Sequence, residues 1–295
     1  DLELSFSKKL NFNDLNLEVY SFTKNKIARG INLPEPGSGY LDFYDNKLFF
    51  ASSVGIVSYS ELKDKKIVFK QINNNIENFV GEKQLRKNLW FSVKDFKIIQ
   101  NKVFVTYTNE VQEDCWNTSV IYADLNYEYL DFKKFFVPTD CNSSTNPKDG
   151  EFNAHQSGGR VFKFVDNNLI FSHGDYRYRG LAQSAKSQFG KILKINIFDK
   201  KFETIALGFR NPQGLFYDNE KNIILETEHG PFGGDEINLI DLNKKKLQNF
   251  GWPIASYGNH YKQTLEKNKI KYPLLKSHRD NGFEEPLRWF TPALG

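Results

Sequence analysis

The chain has 295 residues, with 40 Lys and Arg against 36 Asp and Glu, and 27 Phe and 14 Tyr raise its aromatic content to 15%. That length can bury a sizeable core, the aromatic palette favours strands over helices, and no run of eighteen apolar residues is present to cross a membrane as a helix. The net charge of +4 is scattered rather than gathered into a basic stripe, which gives a nucleic-acid role little support; the run Lys244-Lys245-Lys246 reads as a solvated turn.

The chain opens at Asp1 with neither an initiator Met nor a signal-peptide pattern, so its start is expected to be trimmed. Residues 1–35 are expected to form an irregular N-terminal segment. From there a unit recurs: an alternating strand, a polar turn, a second apolar strand, then a variable loop and a third strand. Its copies are "GYLDFYDNKLFFASS" (39–53), "FKIIQNKVFVTYTN" (96–109), "GRVFKFVDNNLIFSHGD" (159–175) and "GLFYDNEKNIILETEHG" (214–230). Leu48, Val103, Leu169 and Ile223 are equivalent anchors, spaced 55, 66 and 54 residues apart. Helical signal is weak; "ENFVGEKQLRKNLW" (77–90) is expected to be a loop with a turn of helix.

Alternating strands in units of about fifty residues predict an all-β chain, a β-propeller of four-stranded blades. "EEPLRWFTPALG" (284–295) looks like the opening of a fifth unit. The expectation is one propeller domain over 1–295, either incomplete at its C-terminus or closed by blades that do not show as repeats. Cys115 and Cys141, 26 positions apart in polar stretches, suggest a disulfide and an oxidising compartment, the periplasm or the cell exterior; two free thiols are the alternative.

Three further stretches carry the chemistry. "GFRNPQGL" (208–215), "TEHGPFGGDEINLI" (227–240) and "NFGWPIASYG" (249–258), with "HQSGGRVFKFVDNNLIFSHGD" (155–175) ahead of them, resemble the signatures of soluble quinoprotein glucose and aldose sugar dehydrogenases of the glucose/sorbosone dehydrogenase type. They occur in that family's order over residues 153–295; residues 1 to about 95 show no match. The resemblance implies a six-bladed propeller holding pyrroloquinoline quinone and Ca²⁺ near its axis, with an aldose as substrate.

On that resemblance His155 takes the proton of a sugar C1 hydroxyl, and Asp175 orients its imidazole. Arg210 stabilises charge on the quinone, Asn211 and Gln213 hold the cofactor, and the carbonyls of Gly230 and Pro231 bind Ca²⁺. Asp235 and Glu236 are candidates for a second, structural Ca²⁺, or for a salt bridge to a neighbouring Arg. His173 and His229 read as packing groups, and His260 and His278 are assigned nothing.

The chain also departs from the family pattern. Ala154 stands where an Asp often precedes the base, "GEKQLRKNLWF" replaces a Gly-rich, Leu-Leu segment, and "SGGR" carries an extra glycine. The cations that clamp the quinone carboxylates lie, in the family, beyond the equivalent of "RWFTPALG". Two alternatives stay open: a non-catalytic propeller binding a protein or glycan through its end loops, and a metal-dependent hydrolase or lactonase using His155, His173, His229 and nearby carboxylates.

Overall fold

Each sequence repeat begins as a tight hairpin, because its polar turn supplies residues that tolerate left-handed backbone. In the computed structural model, which describes residues 2–12, 15–22, 39–62 and 67–294, strand β3 (Gly39–Tyr44) turns into β4 (Lys47–Ser52) through Asp45 and Asn46, at φ 47° and 56°. The same construction joins β7 (Val93–Ile99) to β8 (Lys102–Gln112) through Gln100 and Asn101, at φ 50° and 58°. It recurs at Asp166 and Asn167, φ 53° and 60°, between β12 (Gly158–Lys163) and β13 (Asn168–His173).

Four antiparallel blades follow. The first is β3–β4–β5 (Val57–Glu61)–β6 (Val68–Asn74), and the second is β7–β8–β9 (Cys115–Asp124)–β11 (Lys133–Phe136). The third is β12–β13–β14 (Lys191–Asn196)–β15 (Phe202–Leu207), with β19 (Gln248–Asn249) added in parallel. The fourth is β16 (Pro212–Asp218)–β17 (Ile223–Glu228)–β18 (Asp235–Asp241)–β20 (Arg288–Phe290). The first strands of the blades touch in series, β3 to β7, β7 to β12 and β12 to β16, so they line the axis.

Two expectations are corrected by this topology. The stretch 284–295 does not open a fifth unit: Arg288–Phe290 pairs with β18 and completes the fourth blade, since the edge of β18 needs a partner for its backbone groups. Of the segment 1–35, expected to be irregular, residues 2–12 and 15–22 form a hairpin, β1 (Leu2–Phe12) with β2 (Leu15–Phe22), which joins the outer edge of the first blade through Leu2↔Phe69. Residues 1, 13–14 and 23–35 of that segment lie outside the described residues. β10 (Tyr129–Leu130) adds to β6. The expected turn of helix in 77–90 is α1 (Glu82–Lys87), and α2 (Glu266–Lys271) lies in the long connection before β20.

Apolar residues fill the seams between blades. Phe49, Val57 and Ile72 of the first meet Phe96, Ile98 and Val105 of the second; Phe104 and Val120 meet Val161 and Phe171; Ile170 and Ile192 meet Leu215, Ile224 and Ile240. Buried aspartates pin the first strands together across the seams. Asp42 accepts from the Ile98 N–H at 2.8 Å and pairs with Lys97, while Asp95 accepts from the Val161 N–H and from Arg160 Nη1, each at 2.9 Å.

The expected disulfide between Cys115 and Cys141 is present. Beside it, Asp114 accepts hydrogen bonds from Trp116 Nε1, Ser143, Ser144 and Thr145. Against the effect of burial, these donors hold its carboxyl well below the usual range.

Candidate active site

The polar residues of the later motifs collect at one end of the axis, where the first strand of a blade begins and the second ends. The loop entering β12 carries His155 and Gln156, the loop leaving β13 carries Asp175 and Arg177, and the turn entering β16 carries Arg210 and Asn211. Asn153 caps the first loop, its Oδ1 accepting the His155 N–H at 2.7 Å.

Gln156 is the hub. With its carboxamide turned so that oxygen faces the guanidinium groups, it accepts from Arg210 Nη2 at 2.8 Å and from Arg177 Nε at 3.2 Å, and its NH₂ donates to Asp175 Oδ1 at 2.9 Å. Sequence reasoning passed over this residue although it sits inside the "HQSGG" motif. Asp175 is fully buried, and burial raises its pKa against the pull of Arg210. Its hydrogen-bond partners differ from the expected one. A buried carboxylate must satisfy its oxygens with donors at hand; these are Trp252 Nε1 at 2.7 Å, the Arg177 N–H at 2.8 Å and Gln156, rather than the imidazole of His155.

Arg210 is buried with its guanidinium over the rings of Trp252 and Tyr261, at 5.5 and 5.9 Å, and its Nη1 donates to the His229 carbonyl at 2.7 Å. The Glu228 carboxylate holds the turn from behind, accepting the N–H groups of Arg210 (2.6 Å) and Asn211 (3.1 Å). Burial pushes the Glu228 pKa up to about 7 even so. Asn211 Oδ1 accepts the Gly158 N–H at 3.1 Å, tying the Arg210 turn to the His155 loop. Gln213 lies on β16, its carbonyl accepting from Arg160 Nε at 2.8 Å.

His155 is exposed at the tip of its loop, with its ring against Trp90 at a centroid distance of 3.9 Å. Partial burial against that indole, then the charges of Lys94 and Arg177, lower its pKa to about 4. It is therefore neutral at pH 7 and able to accept a proton.

The Gly230-Pro231 turn closes against Asp235, whose Oδ1 accepts the Gly230 N–H at 3.1 Å, while the Pro231 carbonyl accepts the Gly234 N–H at 3.1 Å. Asp235 also accepts the Leu294 N–H at 3.0 Å. Glu236 faces His278 Nε2 at 3.5 Å, so its basic neighbour is a histidine to which the sequence reading gave no role, not an Arg. Across the sheet β17 and β18 pair Glu228 with Glu236 and Glu226 with Asn238. Glu226 Oε1 and Asn238 Oδ1 are buried without a hydrogen-bond partner. Burial, then the charge of Glu228, raises both Glu226 and Glu236 well above ordinary carboxylates.

The histidine set of the hydrolase alternative is not assembled. His173 is fully buried, its Nε2 accepting the Thr118 N–H at 3.1 Å and its Nδ1 bonded to the Gly174 carbonyl at 2.6 Å. Its two ring nitrogens are thus spent within the blades, and His229 pairs with Asp235. Among the described residues no group of three or more His, Cys, Asp or Glu side chains is placed to hold a metal.

Blades arrayed about an axis, with a buried arginine, buried carboxylates and a histidine gathered at one end of it, define a β-propeller with a polar site at its mouth. The chain belongs to the glucose/sorbosone dehydrogenase family, whose model matches residues 92–295. It is 32% identical to the aldose sugar dehydrogenase YliI of Escherichia coli K12 over 152 residues, 46% of this chain and 38% of that protein. It is 34% identical to an uncharacterized protein of Synechocystis over 160 residues, 46% of this chain and 36% of that protein. The aligned stretches thus span little more than a third of these relatives' own lengths. Quinoprotein glucose dehydrogenase B of Acinetobacter calcoaceticus is 41% identical over 81 residues, 23% of this chain and 16% of that protein. Among solved structures, a glucose dehydrogenase superposes with a TM-score of 0.63 at 22% identity, covering 86% of this chain and 72% of its own. The aldose sugar dehydrogenase of Streptomyces coelicolor in its PQQ-bound form superposes at 0.59 and 18% identity, covering 87% and 69%. At these identities the superpositions speak to the fold.

Proposed function

We propose that the chain serves the oxidation of an aldose at its C1 hydroxyl, as a propeller holding pyrroloquinoline quinone and Ca²⁺ at its mouth. The observation that carries this reading is the neutral, exposed His155 directly beside Gln156, which joins Asp175 to Arg210. Pyrroloquinoline quinone, when bound, supplies the two-electron acceptor for a hydride leaving C1, and Ca²⁺ an electrophile beside it. The residues present fit part of each group: Arg210 offers one cation to the quinone, and the turn from Glu228 to Glu236 offers oxygens to the metal. A planar anion suits the Arg210 guanidinium between Trp252 and Tyr261. The oxygen-rich turn from Glu228 to Glu236, with the partnerless buried oxygens of Glu226 and Asn238 close behind it, suits a hard cation.

In this reading an imidazole nitrogen of His155 accepts the hydroxyl proton. Arg210, held by Glu228 and Gln156, would stabilise negative charge, Asn211 and Gln213 would help hold the cofactor, and the Gly230 and Pro231 carbonyls would be ligands for Ca²⁺. Asp175 positions Gln156 and Trp252. The disulfide supports a periplasmic or secreted location, and among the described residues no helix is long and apolar enough to cross a membrane. The test is titration of the chain with pyrroloquinoline quinone and Ca²⁺, followed by absorbance and heat, with and without glucose. Stoichiometric binding with reduction by sugar is expected. Absence of binding moves the reading to a propeller that captures a protein or glycan through its end loops.

A further inference from the structure

Two departures from the family pattern, the extra glycine of "SGGR" and the segment "GEKQLRKNLWF", meet in space at the side of His155. Gly159 has φ +107°, and a Cβ built there falls 2.5 Å from the Cβ and 3.1 Å from the Cγ of Lys94. The stem of Lys94 therefore occupies the room that any larger residue at 159 would need. From there its ammonium reaches the Trp90 carbonyl and lies 5.8 Å from the centre of the Trp90 ring, on which His155 rests.

We propose that Lys94 is a positioning residue for His155: threaded beneath Gly159, it fixes Trp90 as the wall against which the imidazole packs and sets a positive charge beside that imidazole. The proposal rests on the reading of His155 as proton acceptor only for its catalytic consequence; the contact itself does not depend on it.

The surroundings of Lys94 are what make it telling. The side chain is buried, and among the described residues what meets its ammonium is a carbonyl and an indole face, with no carboxylate paired to it. A lysine in such a place costs stability, and a strongly perturbed one beside a polar mouth has a functional rationale. Burial lowers its pKa to about 7. The charged groups that act on His155 are Lys94 from β7 and Arg177 from the loop after β13. Arg177 has a counter-ion in Glu151 at 3.5 Å, so its charge is partly offset. At the acid pH where His155 titrates, Lys94 is fully protonated and acts with its whole charge. The effect disfavours the imidazolium and keeps His155 neutral across the physiological range.

The test is an NMR titration of the chain labelled in its histidine rings, with the His155 signals assigned by their loss in His155→Ala. In the wild type the His155 midpoint is expected near 4. In Lys94→Met, which keeps the stem and removes the charge, it is expected to rise by about one pH unit. Gly159→Ala, which displaces the stem with the ammonium retained, is expected to shift it in the same direction. An unchanged midpoint in a folded Lys94→Met overturns the proposal. Where neither variant folds, titration of the wild-type Lys94 amine decides: a midpoint near 7 is expected, and an ordinary one near 10.5 overturns it. Turnover of His155→Ala is the separate test of the base. If it survives while the Lys94 effect stands, the functional reading fails and the positioning role does not.

Discussion

His155 and Glu226 show how differently burial acts on two ionisable residues of one site. His155 has its pKa lowered to about 4 and is neutral at pH 7; on the proposed function, His155→Ala is expected to reduce sugar oxidation by at least about 10²-fold with cofactor binding retained, as read by single-turnover absorbance. Glu226 is raised well above its ordinary 4.5 by burial and by Glu228. Between those limits the folded state holds a proton that the unfolded chain has released, so this contribution is fully present below pH 4.5 and is lost as pH rises. Glu226→Gln is therefore expected to stabilise the cofactor-free chain by on the order of 1–3 kcal/mol at pH 8 and to change little at pH 4, measured by urea unfolding at both values.

Among the elements, the hairpins were the most legible in the sequence and the fourth blade's last strand the least. "YDNK", "IQNK" and "VDNN" announce their turns because the left-handed conformation is a local demand that Asn and Asp meet cheaply. Asn46, at φ 56°, carries that demand in the first blade. Asn46→Val is expected to lower unfolding free energy by about 1–2 kcal/mol and Asn46→Gly to leave it nearly unchanged, as read by thermal melts. Nothing local distinguishes "RWF" at 288–290 as a closing strand from an opening one; its pairing with β18, more than forty residues back, decides. The site divides in the same way. The Arg210 turn could be found from its motif, whereas the bond from Trp252 to Asp175 spans 77 positions and that from Gly158 to Asn211 spans 53. Nothing in the residues around Lys94 marks it as buried; its surroundings are set by Gly159, 65 positions further on.

At the scale of the whole molecule, the described blades form a chain of neighbours, each seam closed by its own apolar cluster, and cross-links matter where a loop lies outside those clusters. The disulfide closes such a loop, carrying residues 138–147 over the second blade with Asp114 as its second anchor. Replacing Cys115 and Cys141 together by Ser is expected to lower stability by about 3 kcal/mol, from the 26-residue separation, with the loss read as a lower melting temperature under non-reducing conditions. The seam between the third and fourth blades has another property. Along β17 the side chains facing the third blade change from Ile224 to Glu226 to Glu228, from hydrocarbon to carboxylate within five residues. The polarity of this buried seam is thus graded along one strand. Amide hydrogens near Ile224 are expected to exchange with solvent far more slowly than those near Glu228 at pH 8, once intrinsic rates are corrected. At pH 5 the carboxyls hold their protons, the difference narrows, and the seam behaves as a zip whose slider is moved by acid.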